Sequence, residues 1–116
     1  MRVLVVEPHT IVRAGLRAII ESAGDLEWAG EGDEPDAAIV SSPAAAATTA
    51  ARHPTAGLLL LTAGGETAAL AAIHSGARSA ISHRASPADI VRAIRAVGDG
   101  QALISADLAG ALFGAH

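Results

Sequence analysis

The chain has 116 residues, a formal net charge of −4, 51% apolar residues and only 2% aromatic ones. A single domain of that size buries a core without staples, and that core must be aliphatic, leaving almost no ring on which to stack a base or a flavin. There is no cysteine, and all eight basic residues are arginine; this excludes disulfides, thiolate metal sites, Schiff-base lysines and a P-loop lysine, and it disfavours direct nucleic-acid binding by this domain. From the N-terminus, "RVLVV" (Arg2–Val6) is a continuous β-branched and aliphatic run, the pattern of a buried strand. Thr10 is placed to cap a helix whose face carries Ile11, Gly15, Leu16, Ile19 and Ile20, and Gly24 is placed to stop it. "LEWAGEG" (Leu26–Gly32) reads as a second, weaker strand and Ala37–Val40 as a third. Ala44–Arg52 is a short alanine-rich helix ended before Pro54.

"GLLLLT" (Gly57–Thr62) is the strongest central strand. Glu66–Ser75 is expected to be a helix closed by Gly76, and "SAIS" (Ser79–Ser82) a last short strand. Ser86 and Pro87 open the best-defined helix, with Ile90, Val91, Ile94 and Val97 on one face and Gly98 near its end. Repeated strand–helix units of this kind imply a parallel sheet with helices on both faces. No apolar run approaches the roughly 18–20 residues of a membrane span, and no signal peptide is visible, so a cytoplasmic protein without membrane contact is expected. Residues 1–100 are read as one domain and 101–116 as a linker.

These residues carry a resemblance. "RVLVVEPHTIVRAGLRAIIE" resembles the opening of a response-regulator receiver domain of the LuxR-type (NarL/FixJ) subfamily. "LLLLTAGGETAALAAIHSGARSAISHRASPADIVRAIRAVGDGQALIS" resembles its second half. The resemblance implies a flavodoxin-like (CheY-like) doubly wound α/β fold with strand order 2-1-3-4-5. It also implies a regulatory role in two-component phosphorelay signalling and transcription. DNA would be reached only through a helix-turn-helix domain absent from this chain. The resemblance further implies a homodimer; neither a cofactor nor an enzymatic activity is expected.

At the family's phosphorylation site the sequence departs from the pattern, and the resemblance implies a degenerate, atypical receiver. Glu7 and Pro8 stand where an acidic pair chelates Mg²⁺; Ser41 stands where the phosphoacceptor aspartate ends the third strand. Thr62 keeps the hydroxyl that ends the fourth strand, His83 replaces the lysine that ends the fifth, and Ala80 replaces the aromatic switch. A serine without an adjacent base is a weak nucleophile. Mg²⁺ wants several hard oxygen ligands, and an imidazole does not carry lysine's permanent charge. Aspartyl phosphorylation is therefore expected to be lost, leaving dimerisation or a small-molecule effector as the signal.

Spacing departs as well. Only five residues separate Glu31 from Ala37, a reach of about 16–18 Å against a crossover diagonal of roughly 20 Å. The family's second helix should be missing, its third shortened, and Leu26–Gly32 should be a very short edge strand or pair atypically. Apolar surface at Val3, Val5 and Ile39 is expected to be uncovered, to be closed by a second subunit or by Trp28 folding onto the sheet. A different reading takes Glu7, His9 and His83, all near strand exits, as a stand-alone small-molecule or metal-binding set. Against it, lone loop histidines are usually just solvated.

Overall fold

The structure is a computed structural model that describes residues 1–30, 32–62, 71, 73–74 and 76–101. Five parallel strands form one sheet: β1 (Arg2–Val6), β2 (Glu27–Trp28), β3 (Ala37–Val40), β4 (Gly57–Thr62) and β5 (Ser79–Ser82), in the order β2-β1-β3-β4-β5. Three helices have both ends among the described residues: α1 (Thr10–Ser22), α2 (Pro43–Arg52) and α3 (Pro87–Gly98). This is the flavodoxin-like doubly wound arrangement, with the strand order expected from the sequence. Most of the expected Glu66–Ser75 helix lies outside the described residues; Ala71, Ile73 and His74 are helical, and Gly76 follows with a positive φ of 114°. The expected linker from residue 102 onward also lies outside them.

Alternation along the strands splits the core into two layers. On one face Val3, Val5, Ile39, Leu59 and Leu61 pack against Leu16 and Ile20 of α1 and Ile90, Ile94 and Val97 of α3. On the other, Ala38, Val40, Leu58, Leu60 and Ala80 pack against Ala46 of α2. The small residues of that second layer let α2 sit close to the sheet. Both α2 and α3 begin as proline at the first turn predicts: the Ser42 and Ser86 hydroxyls accept from the N–H groups of Ala45 and Asp89, each at 3.1 Å.

α1 starts differently from expectation. His9, not Thr10, occupies the capping position, and no side chain caps the helix. Glu7, two residues upstream, takes the His9 N–H instead, and this fixes the chain where it turns into α1. At the other end Ala23, in extended conformation, closes the helix. Gly24 is not among the left-handed glycines, so it is no left-handed stop.

The short path between β2 and β3 is solved by trimming the strand. β2 keeps only Glu27 and Trp28, paired with Arg2 and Val3, so the Leu26–Gly32 strand is the very short edge strand, not a seven-residue one. Eight residues, 29–36, separate β2 from β3, none of the described ones helical, and their reach of about 26–29 Å exceeds the span required. Gly32 turns in the left-handed region, Gly30 N–H bonds the Asp33 carboxylate at 2.8 Å, and Pro35 is buried. Asp36 anchors the end: its carboxylate accepts from Arg2 N–H, and its own N–H reaches the Arg2 carbonyl, both at 2.9 Å.

The missing helix uncovers the other side of the sheet from the one expected. Val3, Val5 and Ile39 are 0%, 7% and 2% exposed, buried under α1 and α3. Leu4 and Val6, pointing the opposite way, are the half-buried residues. Trp28 packs with the α1 layer, its ring 5.7 Å from the Arg13 guanidinium and 5.1 Å from that of Arg17. It closes the α1 side and leaves Leu4 and Val6 open.

Candidate functional site

The C-terminal ends of parallel strands meet at one edge of an open α/β sheet, where such folds place their ligands. Here that edge gathers Glu7 after β1, Ser41 after β3, Thr62 at the end of β4 and His83 after β5. β1 and β3 are neighbours in register, Val6 beside Val40, so Glu7 and Ser41 leave the sheet side by side. An open cleft of about 690 Å³ lies between them, lined by Glu7, Pro8, His9, Arg13, Ser41 and Ser42 among others.

Glu7 is the hub. Its side chain is only 5% exposed, and its Oε1 accepts from both the main-chain N–H of His9 (2.9 Å) and the His9 ring Nδ1 (2.8 Å). The Ser41 side chain lies beside the same carboxylate, on the wall of the same cleft. Burial pushes the Glu7 carboxyl up, but the His9 N–H, the His9 ring and the Ser41 hydroxyl favour its ionised form more and hold it below the ordinary carboxylate value. Ser41 therefore does have an adjacent carboxylate, contrary to the sequence expectation. That carboxylate is a poor general base, because the bonds that keep it charged also lower its basicity.

The other half of the edge is built around β4 and β5. His83 sends its main-chain N–H to the Thr62 carbonyl at 3.0 Å and its ring Nδ1 to the same oxygen at 3.2 Å. A carbonyl only accepts, so the ring proton sits on Nδ1 and this nitrogen is committed to the backbone. Ala80 is 1% exposed, paired with Leu60 inside the α2 layer. Pro8 is exposed and brings no donor atom to the cleft beyond its carbonyl.

The structure joins Glu7, His9 and Ser41 and leaves His83 on its own side. Among the described residues no group of three His, Asp or Glu side chains could hold a metal ion, so the proposed Glu7–His9–His83 set is not assembled. Sequence reasoning named Glu7 and Ser41 separately and did not place the Glu7 carboxylate beside the Ser41 hydroxyl. The expected strand order already put the first and third strands side by side, and with it the two positions that follow them. No helix among the described residues is long and apolar enough to cross a membrane.

No family model and no curated protein matches the chain. Solved structures do. A LuxR-family two-component response regulator from Aurantimonas sp. SI85-9A1 superposes with a TM-score of 0.79 at 26% identity, covering 93% of this chain and 91% of that one. The isolated receiver (REC) domain of RcsB from Salmonella enterica serovar Typhimurium, in its apo form, gives 0.82 at 17% identity over 97% and 98%. A structure of two RcsB dimers bound to two parallel DNAs gives 0.77 at 17% identity, covering 94% of this chain and 65% of that one. The fold is that of response-regulator receiver domains, and the chain is similar to a receiver-like regulatory domain.

Proposed function

We propose that the chain is a regulatory receiver-like domain of a LuxR-type transcriptional regulator that signals without aspartyl phosphorylation. The observation that carries this reading is that the residue at the exit of β3, beside the Glu7 carboxylate, is the hydroxyl-bearing Ser41 and not a carboxylate. A hydroxyl beside a weakly basic carboxylate is no substitute for an acyl-phosphate-forming aspartate. Pro8 supplies no second carboxylate for Mg²⁺, and His83 spends its Nδ1 on the Thr62 carbonyl. The output then comes from self-association or from a ligand. Apolar surface supports the first: Ile11 is 88% and Val12 39% exposed in the first turn of α1, and Leu4 and Val6 are half open on the far face. Any contact with DNA falls to a separate helix-turn-helix module, as a net charge of −4 without lysine suits this domain poorly to phosphate backbones.

Intact-mass measurement after incubation with acetyl phosphate and Mg²⁺ tests the reading. The protein is expected to stay unmodified. An added phosphoryl group that disappears in Ser41→Ala would overturn it. Light scattering at micromolar concentration tests self-association, with a dimer expected; a strictly monomeric protein removes that arm.

A further inference from the structure

The face bared by the missing helix is shaped. Leu4 and Val6 floor a groove of about 300 Å³, and Ala45 and Thr48 of α2 form its wall. At its head stand Arg52, the last residue of α2, and His53. Arg52 makes no ion pair among the described residues, and Nδ1 of His53 is closed off from solvent with no hydrogen-bond partner. An apolar trough that ends on an uncommitted guanidinium and an unsatisfied imidazole has the polarity of a small anion with a hydrocarbon body.

We infer that the groove between β1 and α2 binds a small free carboxylate with an apolar body, its chain over Leu4 and Val6 and its carboxylate on Arg52 and His53. The volume holds about ten non-hydrogen atoms, taking the roughly 30 Å³ that a water molecule occupies in the liquid as a guide. Apolar walls with a few convergent polar groups are how small-molecule sites are built. The C-terminal end of α2 contributes about half a negative charge, which opposes an anion, but the full charge of Arg52 outweighs it. Rotation of the His53 ring toward the carboxylate would also give its stranded nitrogen a partner, removing the penalty of an unmade bond. This site gives the ligand arm of the regulatory reading a place and a chemistry, and it rests on that reading for its biological meaning.

Octanoate, with ten non-hydrogen atoms, is the probe, and 1-octanol its uncharged counterpart. In ¹H–¹⁵N spectra octanoate is expected to shift the amides of Leu4, Val6 and Thr48 saturably, with a Kd of about 0.1–1 mM. Arg52→Gln, at an exposed position, should weaken octanoate about tenfold and leave 1-octanol unchanged. Ala45→Leu, which fills the groove wall, should abolish both. Shifts that do not saturate, that map to Ile11 and Val12 instead, or that ignore Arg52→Gln overturn the inference. So do groove amides that move on dilution without ligand, since a second copy would then be the occupant. Octanoate bound in the groove together with phosphorylation at Ser41 keeps the site and defeats the phosphorylation-independent reading.

Discussion

Asp25 and Arg95, seventy positions apart, meet in a two-pronged pair: Arg95 Nη2 to Asp25 Oδ1 at 2.6 Å and Nε to Oδ2 at 2.8 Å. The contact ties the turn after α1 to the last turn of α3, and the N-terminal ammonium bonds the Asp25 carbonyl at 3.0 Å beside it. The Arg95 fork holds the Asp25 carboxyl below its ordinary value of 3.8, and the aspartate in turn raises Arg95. A depressed aspartate contributes stability above its unfolded pKa and loses it as pH falls through the folded one. Asp25→Asn should therefore lower the urea midpoint slightly at neutral pH, both groups being half exposed. The gap to the parent protein should close as pH falls below about 3.8. A gap independent of pH would assign the effect to packing.

Two glycines make a contrasting pair. A Cβ on Gly57, at the start of β4, would overlap the Val97 carbonyl of α3, and neither backbone can yield without parting helix from sheet. Gly57→Ala should cost about 3 kcal/mol in denaturant unfolding. On Gly98 a Cβ meets only the Met1 side chain, whose flexible end can swing aside. Gly98→Ala should stay within about 1 kcal/mol of the parent, since alanine is the better helix former.

The cap of α2 can be removed alone. Ser42→Ala deletes the acceptor of the Ala45 N–H and should cost about 1 kcal/mol. Amide exchange should quicken first in residues 44–46. Uniform loosening of the whole sheet would mean that α2 does not unfold locally.

Restoring the aspartate alone should not restore chemistry. Ser41→Asp puts a second carboxylate beside Glu7, yet Pro8 still offers no side-chain ligand and His83 remains bonded to Thr62. Slow or absent labelling by acetyl phosphate with Mg²⁺ is expected. Rapid, stoichiometric labelling would show that Pro8 and His83 matter less than the serine.

Much of this architecture was legible. Ser86, Pro87 and the spacing of Ile90, Ile94 and Val97 define α3, and the count of residues between Glu31 and Ala37 was enough to delete a helix. The bared face was not legible, and the reason is physical. A strand buried on both sides, such as "RVLVV", carries no alternation, so nothing in it says whether Val3 and Val5 or Leu4 and Val6 lie under α1. The start of α1 went to His9 because Glu7 captures its N–H, a bond between a strand exit and a loop that helix-capping preferences do not encode. Of the site, the residue types at Glu7, Ser41 and His83 were readable. Their wiring, Glu7 to His9 and His83 to the Thr62 carbonyl, depends on side-chain rotamers and local backbone turns that strand order does not fix.

The two-residue strand β2 has a consequence for solubility. An outer strand normally offers a row of unpaired N–H and C=O groups to any passing chain, a template for edge-to-edge aggregation. Here that outer row is cut to Glu27 and Trp28, with Arg2 and Glu27 placing charges 3.9 Å apart across the β1–β2 pair. Growth of a cross-molecule sheet from this side would have too few bonds to start and two charges to bury. Trimming the strand, which solved the problem of chain length, also guards one edge of the sheet.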